Sequence, residues 1–200
     1  MKANHFFILA AALGMGFLTS CSNDNSKVNR TANNEDPKEN AEEHNDAKFT
    51  KGAENDAQFL VDAADINLME VKAGKLAETN GTSKEVRDLG TMMDNAHQKA
   101  YDDLVAMAKK KNISVPADLS DKSQKDVNNL SEKRGTEFDK DFCDAMVSGH
   151  KDAIDKFEKA SKESTDPEIQ AWAASMLPAL RMHLDHAMAA QEKSKNMSEK

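Results

Sequence analysis

The chain has 200 residues, 38% of them hydrophobic, and a formal net charge of -8 at pH 7. This negative charge argues against nucleic-acid binding, which needs a basic surface, and gives no sign of electrostatic attachment to an anionic membrane. Once the amino-terminal segments are set aside, about 150 residues remain, which is enough for one domain with its own hydrophobic core.

Residues 1–20 resemble the signal peptide of a bacterial lipoprotein. Lys2 supplies a positive charge, and residues 6–17 form an apolar run that is too short to span a bilayer. Residues 18–21 (LTSC) then resemble the lipobox, the motif at which such signals are cleaved. The resemblance implies that Cys21 becomes the mature amino terminus and carries the acyl chains that anchor the protein. The alternative is an ordinary signal peptide with an incidental cysteine.

The residue after this cysteine indicates a location. Ser22 is not the aspartate that retains some lipoproteins at the inner membrane. The lipobox resemblance therefore favours the outer membrane, with the protein facing the periplasm or the cell surface. The membrane, reached through the lipid on Cys21, is the only partner that the sequence indicates, and a protein partner stays unknown.

Residues 21–52 are predicted to be the lipidated cysteine followed by a disordered tether. The segment is polar and almost free of large apolar side chains, so it cannot bury enough surface to offset the entropy lost on ordering. As a flexible coil it would reach roughly 30 Å. The folded domain is predicted over residues 53–192, and residues 193–200 form a polar tail.

Four long amphipathic helices are predicted within the domain. Apolar residues recur at helical spacing over residues 54–79, 82–111, 136–164 and from 166 onward. A shorter amphipathic helix is predicted over residues 120–133, between the second and third long helices. No strand pattern competes. Helices of about 25 residues joined mostly by short turns predict an all-α, up-down-up-down four-helix bundle.

Three histidines lie on the apolar faces of three different predicted helices, namely His97, His150 and His183. A buried imidazole is costly unless another group satisfies it, so these positions need an explanation. One explanation is a shared metal ion. The other is a buried hydrogen-bond network with Glu70 and Asp94 that fixes the register of the helices.

Motifs on all four long helices are similar to those of a bacterial family called domain of unknown function 4142. They are Glu70, MMDNAH at residues 92–97, FD at 138–139, MVSGH at 146–150 and LPALRMHL at 177–184. The resemblance covers residues 49–191 and implies a ferritin-like fold in the bacterial envelope, without an established activity. The family's usual aspartate-histidine pairs are missing, since Ala96 precedes His97 and Gly149 precedes His150.

The candidate metal ligands favour some metals over others. They are Glu70, Asp94, His97, His150 and His183, with Met93 and Met146 as softer candidates. A ferritin-like di-iron site needs more carboxylates than this, so a di-iron oxidase is not favoured. Each of the two methionines lies four residues before a histidine and shares its helical face, which favours copper(I), whereas the histidines and acids suit zinc. Methionine is also an ordinary filler of irregular cores.

Two other residues bear on the chemistry. Pro178 lies inside the last helix, where it removes a backbone donor and is predicted to kink the helix shortly before His183, or to curve it around the core. Cys143 has an apolar setting that keeps a thiol inert. An enzyme with a covalent nucleophile is therefore not supported.

These observations predict a lipid-anchored envelope protein with a ferritin-like bundle. Its predicted role is to bind an unknown ligand without catalysis, or to act in a stress response. The alternative is a metal-binding envelope protein that holds copper, zinc or iron through a His/Glu/Met cluster in the bundle core. The cofactor stays unknown, because the sequence assures no metal ion.

Overall fold

A computed structural model of the chain describes residues 35–198, with side chains up to residue 196. The predicted signal peptide, the lipobox and Cys21 lie outside these residues. Between residues 35 and 198 the chain forms six helices and no strand, so the predicted all-α class is confirmed. The helices are α1 (Pro37–Asp46), α2 (Lys51–Asn80), α3 (Lys84–Lys111), α4 (Asp121–Ser131), α5 (Gly135–Glu163) and α6 (Pro167–Ser198). None of these helices is both long and apolar enough to cross a membrane.

The helix boundaries follow local capping chemistry. The Ser83 side chain accepts a hydrogen bond from the backbone amide of Val86 and so caps the amino terminus of α3. At the start of α6, the Asp166 side chain accepts from the backbone amides of Glu168 and Ile169. α6 then continues past residue 192, so much of the predicted polar tail is helical.

The prediction of a disordered tether is wrong for residues 35–52. This part of the chain contains α1 and the start of α2, and α1 is fastened to the rest of the domain by polar contacts. The Asn45 side chain is buried and exchanges two hydrogen bonds of 2.8 Å with the backbone of Ser114. Lys38 forms an ion pair of 2.6 Å with Asp62 on α2. The composition of this segment did not indicate that it is folded, because specific polar contacts, and not large apolar residues, hold it in place.

The four long helices lie antiparallel to their neighbours. Along each contacting pair, residue numbers rise on one helix as they fall on the other. The contacts are Asn67–His97 and Gly74–Gly90 for α2 and α3, Asp62–Lys156 and Glu70–His150 for α2 and α5, Glu158–Arg181 and Asp144–Gln191 for α5 and α6, and Glu85–Lys193 and His97–His183 for α3 and α6. α2 and α3 approach each other closely at two glycines, where a Cβ atom on Gly74 would lie 2.6 Å from the carbonyl oxygen of Gly90.

Two apolar clusters fill the space between the long helices. One is built around Met93, Phe138, Phe142 and Met146, and the other around Leu60, Leu104, Phe157 and Ile169. On α2, α3, α5 and α6 alike, a short polar interval separates the residues of the two clusters along the sequence. These intervals hold Glu70, Asp94, His97, His150 and His183, so the core is divided by one polar layer.

Candidate metal centre

The polar layer places one or two polar side chains from each long helix in the middle of the core. α2 contributes Asn67 and Glu70, α3 contributes His97, α5 contributes His150 and α6 contributes His183. Their exposed fractions are between 1% and 4%. Each of these side chains lies on the apolar face of its helix. Packing of the apolar clusters on either side therefore buries them.

The three histidines form a nearly regular triangle. Their ring centroids are separated by 5.5 Å (His97–His150), 5.3 Å (His97–His183) and 5.4 Å (His150–His183). One ring nitrogen from each histidine lies within 4.8 Å of the others. Three points no more than 4.8 Å apart have a centre at most about 2.8 Å from each of them, against about 2.0–2.1 Å for a zinc–nitrogen bond. A small inward movement of each ring would therefore allow all three to bind one ion.

Hydrogen bonds at the outer side of two rings determine which nitrogen carries the proton. His150 Nδ1 donates to the backbone carbonyl of Met146 over 2.9 Å. His97 Nδ1 lies 2.9 Å from Asn67 Oδ1, and the amide of Asn67 donates from its other end to the Ala63 carbonyl, so this oxygen must accept from the histidine. Both rings consequently keep an unprotonated Nε2, which is the arrangement that orients a histidine as a metal ligand.

Four buried atoms of the polar layer have no hydrogen-bond partner among the described residues. They are Nε2 of His97, Nε2 of His150, Nδ1 of His183 and Oε2 of Glu70. Each unpaired buried polar atom costs about 1–3 kcal/mol. In the hydrogen-bond network predicted as one explanation, these groups would satisfy one another, and in the described structure they do not. A cation bound between the three imidazoles would satisfy the three ring nitrogens, and Glu70 lies beside this group, with Oε1 3.7 Å from His150 Nδ1.

Burial also sets the charge of the cluster. It lowers the pKa of His97 well below the usual value for histidine, and the neighbouring imidazoles lower it further. Burial lowers the pKa of His150 and brings that of His183 to about 4, while it raises the pKa of Glu70 to about 8. At neutral pH the imidazoles are therefore uncharged, which is the form in which histidine binds metals. The Glu70 carboxyl would release its proton on binding a cation.

The other candidate ligands are placed differently. Asp94 is half-buried and lies 3.6 Å from Lys75 Nζ, and it does not belong to the histidine group. Met93 and Met146 are fully buried in one apolar cluster, and the contact of Met146 with the site runs through its backbone carbonyl. Burial raises the pKa of the Cys143 thiol to about 12, in agreement with the inert thiol that the sequence predicts.

Two further residues concern the predicted site, one named from the sequence and one missed. Pro178 lies inside α6 with its ring exposed, and the helix continues on both sides of it. Asn67, which holds His97, was missed by the sequence reasoning. Asn67 could have been identified from the sequence, because it is an amide on the apolar face of α2, three residues before Glu70. Only small or apolar side chains would otherwise be expected at this position.

Comparison with known proteins gives one match. The sequence profile described as "Domain of unknown function (DUF4142)" matches residues 40–190, which include all three histidines, Glu70 and Asn67. No curated protein and no solved structure matches the chain.

Proposed function

We propose that this chain, which belongs to the family described as domain of unknown function (DUF4142), is a metal-binding protein of the bacterial envelope. It holds one transition-metal ion between its long helices, with His97, His150 and His183 as nitrogen ligands and Glu70 as an oxygen ligand. The observation that carries the proposal is the grouping of three buried histidines, each with one ring nitrogen that has no hydrogen-bond partner among the described residues.

The types of ligand atom in the proposed site favour some metal ions over others. Three neutral imidazoles and one carboxylate suit Zn²⁺, which takes nitrogen and oxygen ligands in a four-coordinate tetrahedral site. Imidazole also binds iron and copper, but copper(I) prefers thioether or thiolate ligands. Binding of copper(I) would require the thioether of Met93 or Met146 to join the histidines. Zn²⁺ is therefore the first ion to test.

The proposal extends to the architecture around the ion. We interpret α2, α3, α5 and α6 as an up-down-up-down four-helix bundle of the ferritin-like kind, with α4 as the short extra helix. The antiparallel contacts between neighbouring helices support this interpretation. Metal sites in such bundles are built from inward-facing side chains at one depth, and the four proposed ligands come from four helices in this way.

The proposed location rests on the amino-terminal sequence. Residues 18–21 resemble a lipobox, so Cys21 would carry the lipid that holds the protein in the outer membrane. Fractionation of cells that express Cys21→Ala tests this. The variant is expected to leave the membrane fraction, whereas a processed variant that stays membrane-bound would contradict the anchor.

Elemental analysis by mass spectrometry tests the metal site. The full chain, purified in mild detergent without a histidine tag, is stripped with a chelator, offered Zn²⁺, Fe²⁺, Mn²⁺ or copper(I), and desalted. About one equivalent of a metal is expected in the wild type and in His44→Ala, since His44 is exposed on α1. His150→Ala should lose the metal while circular dichroism shows a retained helical fold. Wild-type protein that binds none of these metals would refute the proposal.

A further inference from the structure

A surface groove lies directly outside the polar layer. It has a volume of about 360 Å³ and is bounded by α2, α4 and α5. Met69, Met146 and Gly149 contribute to its wall. Each of these residues adjoins the cluster: Met69 precedes Glu70, the Met146 carbonyl accepts from His150 Nδ1, and Gly149 precedes His150. The wall of the groove therefore includes residues that are next to, or hydrogen-bonded to, the proposed ligands.

Gly149 is the part of this wall that lies next to Glu70. This glycine is half-buried, and a Cβ atom placed on it would lie 3.3 Å from Glu70 Oε1. A side chain on residue 149 would therefore point toward the Glu70 carboxyl group. Because glycine has no side chain, nothing attached to residue 149 covers this oxygen. Glu70 is the proposed ligand next to the groove, and its other oxygen has no hydrogen-bond partner in the part of the chain that the structure describes.

The charged residues that line the groove are three aspartates and two lysines. Asp126 and Asp141 contribute to it but are paired with Lys122 and Lys133, at 2.9 Å and 3.8 Å. Asp152 also lines the groove, is exposed, and has no ion-pair partner among the described residues. A carboxylate free of a counter-charge attracts a diffusing cation more strongly than one already paired.

We propose that this groove is the route by which a divalent metal cation reaches the core, an inference that rests on the proposed metal site. The cation is drawn to the rim by Asp152, passes residue 149, and meets Glu70 before the three histidines. The groove of similar size between α3 and α6, lined by His186 and Glu85, does not play this part, because none of its lining residues adjoins Glu70.

Stopped-flow mixing of the metal-free full chain with Zn²⁺, followed with a zinc-sensitive dye, tests the route. In Gly149→Ala the added methyl group lies between the groove and Glu70, so the association and dissociation rates should each fall about fivefold or more with the dissociation constant changed less than about twofold. Alanine favours helix over glycine, so the variant is expected to fold. Gly52→Ala is the matched control, since its Cβ atom would make only an ordinary contact with Thr165, and its rates should equal those of the wild type.

A charge variant tests the rim independently. Asp152→Asn should lower the association rate about twofold to threefold at low ionic strength, and the difference should vanish in high salt. Asp155→Asn, on the same helix but outside the groove, should leave the rate unchanged.

The outcomes separate the route from the site. Wild-type protein that binds Zn²⁺ at the same rate as Gly149→Ala would overturn the route and leave the metal site standing. A weaker equilibrium affinity in Gly149→Ala with an unchanged association rate would also overturn it, since the methyl group would then act on ligand geometry. Wild-type protein that binds no metal would refute the site itself, and the route with it.

Discussion

Replacing His183 by leucine separates a metal ligand from a structural histidine. His183 is 3% exposed, and its Nδ1 atom has no hydrogen-bond partner within residues 35–198. An unpaired buried polar atom costs about 1–3 kcal/mol, and leucine fills a similar volume without one. The metal-free variant should therefore be at least as stable as the wild type, with a gain of about 1 kcal/mol. For a domain of this size such a gain raises Tm by about 2–4 °C.

Bound metal should reverse the order of stability of the wild type and His183→Leu. At a free metal concentration 100 times Kd, binding stabilises the wild type by about 2.7 kcal/mol. His183→Leu lacks one of three nitrogen ligands, so most of this stabilisation should be lost. The wild type should then melt above the variant, although it melts below or level with it in chelator.

Calorimetry in chelator and in excess Zn²⁺ measures both effects. His186→Leu is the matched control, because His186 lies on the same helix but is exposed, and its Tm should follow the wild type in both conditions. A metal-free His183→Leu protein that is destabilised by about 2 kcal/mol or more, beside a wild type whose Tm ignores Zn²⁺, would refute the reasoning. The histidines would then be structural.

Three further predictions concern stability and are measured by urea unfolding. In chelator, Glu70→Gln should become more stable relative to the wild type as the pH rises from about 5 to 8, by up to about 1.4 kcal/mol per unit. The reason is that burial raises the pKa of Glu70 to about 8, so the native state keeps a proton that the unfolded state releases; a pH-independent difference would contradict this. Gly90→Ala should cost about 1–3 kcal/mol, since its Cβ atom would lie 2.7 Å from the Gly74 carbonyl oxygen on α2, and equal stability would show that the helices separate easily. Asp139→Asn should cost about 1–3 kcal/mol, because the buried carboxylate accepts from the backbone amides of Thr82 and Ser83, and an unchanged midpoint would argue against these bonds.

Helix positions were accessible from the sequence because apolar spacing reports which face of a helix is buried. The same spacing placed His97, His150 and His183 on the inner faces of α3, α5 and α6, where the structure has them. It did not predict α1. Its sequence lacks large apolar residues, and its attachment depends on partners such as Ser114, which is distant in the chain.

The residues that form the cluster could be predicted only in part from the sequence. Glu70 and Asp94 were both candidate ligands from the sequence, yet Glu70 is 1% exposed and adjoins His150, whereas Asp94 is half-buried beside Lys75. The difference depends on the axial position of one helix against the next. That position is set by contacts such as the Gly74–Gly90 approach, and helical periodicity carries no information about it.

The sequence by itself therefore determined which segments are helical and which residues face the core, because both follow from short-range spacing. Only the tertiary structure decided that three imidazoles and Glu70 meet at one depth, and which nitrogen of His97 and His150 is left free. Those two facts depend on Asn67 and on the Met146 carbonyl. The meeting at one depth depends on the packing of four helices whose relative heights no local pattern encodes.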